Sequence, residues 1–213
     1  MEWFSSFLDF VREHPDRIRE LAQSHIKLSL TSLGVACLIF LPLGVYLARP
    51  GRLNASIVGI IASFRVVPSI ALIFLFYSWL GFGYRPAVFA LTILSGPPLL
   101  LNTVAGLRSV DRSALEAARG LGMSPLQVFT KIQMPLALPV IIAGIRSASV
   151  EILASATLAS FIGVKTLGQL IVTGVSLLNT DYLLAGAVPI MAMVLAAEIL
   201  LGGVERIVTP PTR

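Results

Sequence analysis

The sequence predicts an all-α, polytopic membrane protein of about five transmembrane helices, and three observations carry that prediction. Of the 213 residues, 56% are hydrophobic and only 13% charged, with a mean hydropathy of +0.88; soluble domains are nearer a quarter charged. Apolar stretches of roughly 20 residues, enough to cross a bilayer, recur along the chain. The longest tract that sits badly in lipid is residues 110–135 (VDRSALEAARGLGMSPLQVFTKIQMP), and apolar segments flank it on both sides. The length suits one compact domain. Cys37, the single cysteine, lies inside an apolar segment, so neither a disulfide framework nor a cysteine metal site is expected. The net charge of +5 comes from basic residues scattered between spans, a pattern that sets membrane topology and gives no reason to expect nucleic acid.

Taken in order, residues 1–24 lack the basic start and small-residue cleavage site of a signal peptide. Trp3, Phe4, Phe7, Leu8, Phe10, Val11, Ile18 and Leu21 recur at helical spacing beside charged neighbours. That pattern fits an amphipathic helix broken at Pro15, lying at the membrane interface or packed on the protein's own flank. The membrane domain is then expected over residues 25–208, with a short tail at 209–213.

The first span falls within residues 25–48 and carries Pro42 and Gly44, which neighbouring helices can accommodate. Arg49-Pro50-Gly51-Arg52 reads as a tight basic turn. A second span is expected over about 55–80, ending in the aromatic cluster Tyr77, Trp79, Phe82 and Tyr84. The third, about 86–107, contains Gly96-Pro97-Pro98 and should be kinked. A fourth occupies about 136–161, and a fifth about 182–208. Between those two, the apolar stretch 167–178 is too short to cross and reads as re-entrant or interfacial. The two histidines, His14 and His25, read as surface or interface residues. With residues 110–135 inside the cell, the inner segments hold slightly more arginine and lysine than the outer ones.

Residues 110–135 themselves read as two short helices joined by a tight turn, a polar knuckle. Ser113 and Glu116 have the spacing of a capping box, which would start the first helix on Ala114. Gly120 and Gly122 would stop it. Ser124 and Pro125 supply an N-cap and a first-turn proline for the second helix, and Pro135 discourages helix just ahead of it.

Glu116-Ala117-Ala118, Gly122 and Ile132-Gln133-Met134-Pro135 fit the spaced pattern E-A-A-x3-G-x9-I-x-L-P, with Met134 in place of leucine. This resembles the EAA loop of the permease subunits of binding-protein-dependent ABC importers. The stretches 67–72, 102–103, 116–123, 135–146 and 178–181 look like the osmoprotectant branch, whose members import glycine betaine, choline, carnitine and related quaternary amines. The resemblance implies a multi-pass protein of the bacterial inner membrane whose cytoplasmic loop, within residues 108–135, is a coupling helix for an ATPase. Glu116, Ala117, Ala118, Arg119, Gly120 and Gly122 are its coupling candidates: small alanines for close approach, a glycine turn, and a carboxylate for the ATPase. Glu116 has a second reading, as a cap of its own helix. The implied partners are a cytoplasmic ABC ATPase dimer, a second copy or homologous permease, a soluble substrate-binding protein and membrane lipid.

No G-x-x-x-x-G-K-[ST] loop occurs in the chain. ATP and magnesium therefore belong on the partner ATPase, and the chain is expected to be no enzyme and to hold no cofactor or metal of its own. Charges inside spans are rare and usually face protein or water, so Arg65, Arg146 and Glu151 are candidates for the translocation pathway, with Pro68, Ser69 and Asn102. The alternative for each charge is a structural ion pair. Arg146 and Glu151 are five apart, so each is expected to pair across helices. Asn102 is expected to hydrogen-bond across a helix interface. Too few clustered aromatics are present to cage a quaternary ammonium, so the specific site belongs on the soluble partner. Two other readings remain: an importer permease for an amino acid or its derivative, and an ion-driven secondary transporter using the intramembrane charges as relays.

Overall fold

The structure, a computed structural model, describes residues 10–209. The aromatic residues Trp3, Phe4 and Phe7 and the tail beyond Thr209 lie outside them. Helix α1 (Pro15–Leu47) begins with proline in its first turn and runs unbroken through residue 24 into the first span. Phe10, Ile18 and Leu21 pack on Leu167, Leu170, Tyr182 and Ala185, so this stretch lies against the protein's own flank.

The expected second span is not one helix. It consists of α2 (Arg52–Ser63), a 3-10 turn (Phe64–Val66) and α3 (Ser69–Leu80), and the two halves are bent by 99°. Proline disfavours the helical region at the residue before it and donates no N–H. Val67 is accordingly extended, at φ −72° and ψ 121°, just before Pro68. An apolar run long enough to cross therefore turns a corner part-way.

Helices α4 (Tyr84–Leu94) and α5 (Gly96–Ser109) form the third span, interrupted only at Ser95. Pro97 and Pro98 sit in the first turn of α5, where no N–H is missed. This span is the centre of the fold, with 72% of its apolar window buried. The knuckle follows as α6 (Arg112–Gly120) and α7 (Pro125–Val128). Contrary to the expectation for Pro135, the chain stays helical from α7 into α8 (Met134–Ser155). It does so through a π-turn at Phe129–Gln133, where the Met134 N–H reaches Phe129 O. A wider turn ahead of proline gives its ring space that a regular α-turn lacks.

A 3-10 segment (Ala156–Ile162) ends this rod. The short α9 (Gly168–Leu177) does not reach across, and α10 (Thr180–Val208) is the last span. Among the described residues four helices are long and apolar enough to cross, or five elements if the bent pair is one span.

The main core joins Leu28, Ile73, Leu91, Leu94, Ile152 and Ile162 from α1, α3, α4, α8 and the 3-10 segment. Helices α5 and α8 pack closely. A Cβ on Gly144 would be 2.6 Å from Asn102 Cβ and 3.0 Å from Pro98 O. Only the absence of a side chain allows that approach. By contrast α10 buries just 17% of its apolar window against its own chain.

Candidate coupling loop and intramembrane charges

The knuckle is built from local rules, though not all of those expected. Asp111, not Ser113, caps α6: its carboxylate accepts the Ser113 N–H at 2.9 Å, and the helix starts at Arg112, two residues before Ala114. Accepting that backbone N–H, and then the Ser113 hydroxyl bond, holds the Asp111 carboxyl below its ordinary range. With the cap two residues upstream, Glu116 is too far along the helix to close a box, and it is exposed.

Gly120 is the last helical residue, and the turn itself belongs to Gly122 at φ +81°. The Gly122 N–H reaches Arg119 O at 2.9 Å and the Met123 N–H reaches Ala118 O at 3.2 Å, the paired bonds of a Schellman ending. Ser124 then caps α7 as expected, and Gln127 completes its capping box: Gln127 N–H to Ser124 Oγ at 3.4 Å, Ser124 N–H to Gln127 Oε1 at 2.8 Å.

Ala118 is buried inside the knuckle, so its small size serves the fold of the loop itself, whereas Ala117 and Arg119 are exposed. The apolar tip consists of Leu121 and Leu126, 84% and 71% exposed, which the motif does not mark. The base is clamped. Arg108 donates to Leu47 O at 2.9 Å and Ala48 O at 3.1 Å, closing the end of α1. Gln133 donates to Leu107 O at 3.1 Å across the two limbs. Beneath lie Leu107, Val110, Ala137 and Ile141.

Within the spans the candidates fall into two groups. Arg65, Pro68 and Ser69 share the elbow between α2 and α3, and Arg65 is exposed there. Its charge acts on half-buried Glu151 of α8, which lies on one open face with Ser147 and Ala154, both exposed. Arg146 is elsewhere. It pairs across helices as expected, with Nε 3.4 Å from Glu198 and Nη1 3.1 Å from Glu205 of α10. The Glu205 contact is close, but it lacks the alignment of a hydrogen bond. Asn102 departs from expectation: its amide donates within α5, to Pro98 O at 2.8 Å, while its Cβ rests on Gly144.

Of the surface or interface reading, His25 keeps only a place between helices. It is fully buried, and its Nε2 lies 3.0 Å from Leu153 O on α8. Near the start of α1, Lys165 pairs with Glu20 at 3.0 Å, both exposed. Thr166 donates to Ala156 O and accepts the Gly168 N–H, each at 3.3 Å. An open groove of about 400 Å³ between α1, α8 and α10 is almost wholly apolar and offers nothing to orient a polar solute.

The knuckle is thus clamped between two spans and carries its apolar tip outside them. Residues 41–210 match the family described as binding-protein-dependent transport system inner membrane component. The chain belongs to this family. It is a permease component of the inner membrane, not an enzyme, and works with a substrate-binding protein and an ATPase.

Among curated relatives, the choline transport system permease protein OpuBB of Bacillus subtilis is 36% identical, covering 95% of this chain and 94% of its own. The carnitine transport permease protein OpuCD of Listeria monocytogenes is 36% identical, with 99% and 95% covered. The osmoprotectant import permease protein OsmY of Salmonella typhimurium is 34% identical, with 90% and 82% covered. Of solved structures, an inward-facing MetNI methionine ABC transporter superposes with a TM-score of 0.82 at 21% identity, covering 91% of this chain and 96% of that one. At that identity the likeness speaks to the fold, and it confirms the expected ABC-importer permease architecture.

Proposed function

We propose that this chain is the permease subunit of an ATP-driven importer for quaternary-amine osmoprotectants such as glycine betaine, choline or carnitine. The observation that carries this is the run of relatives named for choline and carnitine, about one-third identical over nearly the whole length. Two such chains, or this one and a homologous permease, enclose the pathway, and two ATPase subunits take the two knuckles from the cytoplasm. The sparse burial of α10 within its own chain supports the need for a second permease.

In this reading the exposed Leu121 and Leu126 enter an apolar groove of the ATPase. Ala117, Arg119 and Gly120 line the contact, Glu116 offers its carboxylate, and Ala118 and Gly122 hold the turn. Closure of the ATPase pair pushes the rod of α7 and α8, and the spans rearrange between two states. Arg65, Pro68, Ser69, Asn102, Arg146 and Glu151 are proposed to border or brace the passage. The elbow charge Arg65 facing Glu151 is the element nearest to a gate.

The test is a binding screen of the cognate soluble protein against betaine, choline, carnitine and the amino acids. Tight binding of at least one quaternary amine is expected. A tight amino acid with no quaternary amine bound would overturn the cargo. ATP-dependent uptake into vesicles that ionophores do not abolish separates this reading from an ion-driven carrier.

A further inference from the structure

We propose that Arg146 is a two-rung latch between the knuckle-bearing helix and α10, its guanidinium trading Glu198 for Glu205 as the helices slide during the cycle. Glu198, Gly202 and Glu205 follow one another at helical spacing, so they share one face of α10. The two carboxylates are seven residues apart, roughly 10 Å along the axis. A single guanidinium meets both, through Nε on one side and Nη1 on the other, a division that its planar fork permits.

The track between the rungs is clear. A Cβ on Gly202 would stand 3.3 Å from Nη1. Gly202 and Gly203 also help line a cavity of about 440 Å³ with Arg146, Glu198, Ile199 and Arg206. A fixed tie is best served by one well-aligned partner, because an ion drawn from water is repaid only by good geometry. Here the contacts are 3.4 Å and 3.1 Å, and the second is not aligned as a hydrogen bond. Shared carboxylates, an empty track and free space are what a sliding contact needs. Slides of about one turn between packed helices are a known form of switching. Because α7, the π-turn and α8 are one continuous rod, a push at the knuckle reaches Arg146 directly.

The proposal rests on the chain working in an ATP-driven importer but not on which cargo it passes. Its test therefore reads hydrolysis without cargo, in the complete complex of permease, ATPase and binding protein reconstituted in vesicles. Glu198→Asp and Glu205→Asp each keep the charge and shorten one rung. Basal hydrolysis should move in opposite directions for the two, by about threefold or more, as expected when each rung favours a different state. Shifts in the same direction, or none in either variant, overturn the latch.

Gly202→Ala gives a second, independent reading that does not depend on weakening a charge. Alanine favours helix over glycine, so the complex should assemble and melt as wild type or slightly higher. Turnover should nonetheless fall about threefold or more if the methyl obstructs a moving guanidinium. Wild-type turnover in Gly202→Ala would overturn the sliding step. The cargo reading stands or falls separately, on the binding screen.

Discussion

His25 on α1 and Leu153 on α8 are joined by a 3.0 Å hydrogen bond from the imidazole Nε2 to the backbone carbonyl, 128 positions apart in the chain. Leu153 lies in the last turn of α8, where carbonyls lose their regular helical partners. The imidazole supplies one from a neighbouring helix, at a site with no solvent access.

Replacing His25 by leucine should leave that carbonyl unpaired and cost about 1–3 kcal/mol, the usual penalty for a buried orphan. Thermal unfolding of the purified complex in detergent measures it. The variant should melt lower, and His25→Gln, which keeps a donor, should recover part of the loss. Equal melting of all three proteins would show that the bond contributes nothing.

At the knuckle, Gly122→Trp should abolish co-purification of the ATPase while leaving membrane insertion intact. A residue with a Cβ pays roughly 1–2 kcal/mol in the left-handed conformation that Gly122 adopts, and the indole would sit beside the apolar tip. Leu121→Asp together with Leu126→Asp should weaken capture of the ATPase without touching the turn. Wild-type ATPase yield from both variants would detach the tip from docking.

These two sites show what could be read from the chain and what could not. Hydropathy over some twenty residues suffices to find spans, and Ser124-Pro125 and Gly122 obey rules that act within one turn, so both were legible. The elbow was not, although Pro68 was in view: an apolar run records length in lipid and carries no direction. Asp111 displaced Ser113 because two good caps lay two residues apart and the helix grew back to the earlier one. His25 left no pattern, since its partner is a carbonyl and any residue supplies one. The Arg146 partners left a faint signal, two glutamates seven apart in the last span.

Acid should fray the start of α6 through Asp111. Its folded-state pKa is depressed because the carboxylate accepts the Ser113 N–H. The stabilisation is therefore complete above the unfolded value, about 3.9, and is lost as pH falls through the lower folded value. Hydrogen exchange at the Ser113 amide should show it. Below about pH 4, wild type should lose protection relative to Asp111→Asn, a capping residue that does not titrate. Parallel loss in both proteins would remove Asp111 as the cause.

Between α5 and α8, Gly144→Leu should be destabilising by roughly 1–3 kcal/mol or more, the cost of overpacking. Gly144→Ala should cost less. Adding Asn102→Gly should recover part of the loss, because it removes the Cβ that a side chain at position 144 would strike at 2.6 Å. A double-mutant cycle on melting temperature measures the coupling. Additive losses would mean that the two helices have room the structure does not give them.

The π-turn at Phe129–Gln133 makes the rod a matter of phase as well as length. Each residue of a helix advances it by about 100°. The wide turn absorbs roughly one residue's advance, so the same residues wound as regular α-helix would turn the knuckle by about a quarter of a revolution against the spans. Leu121 and Leu126 would keep their neighbours, and the complex would still hold every residue of its motif, aimed at the wrong bearing.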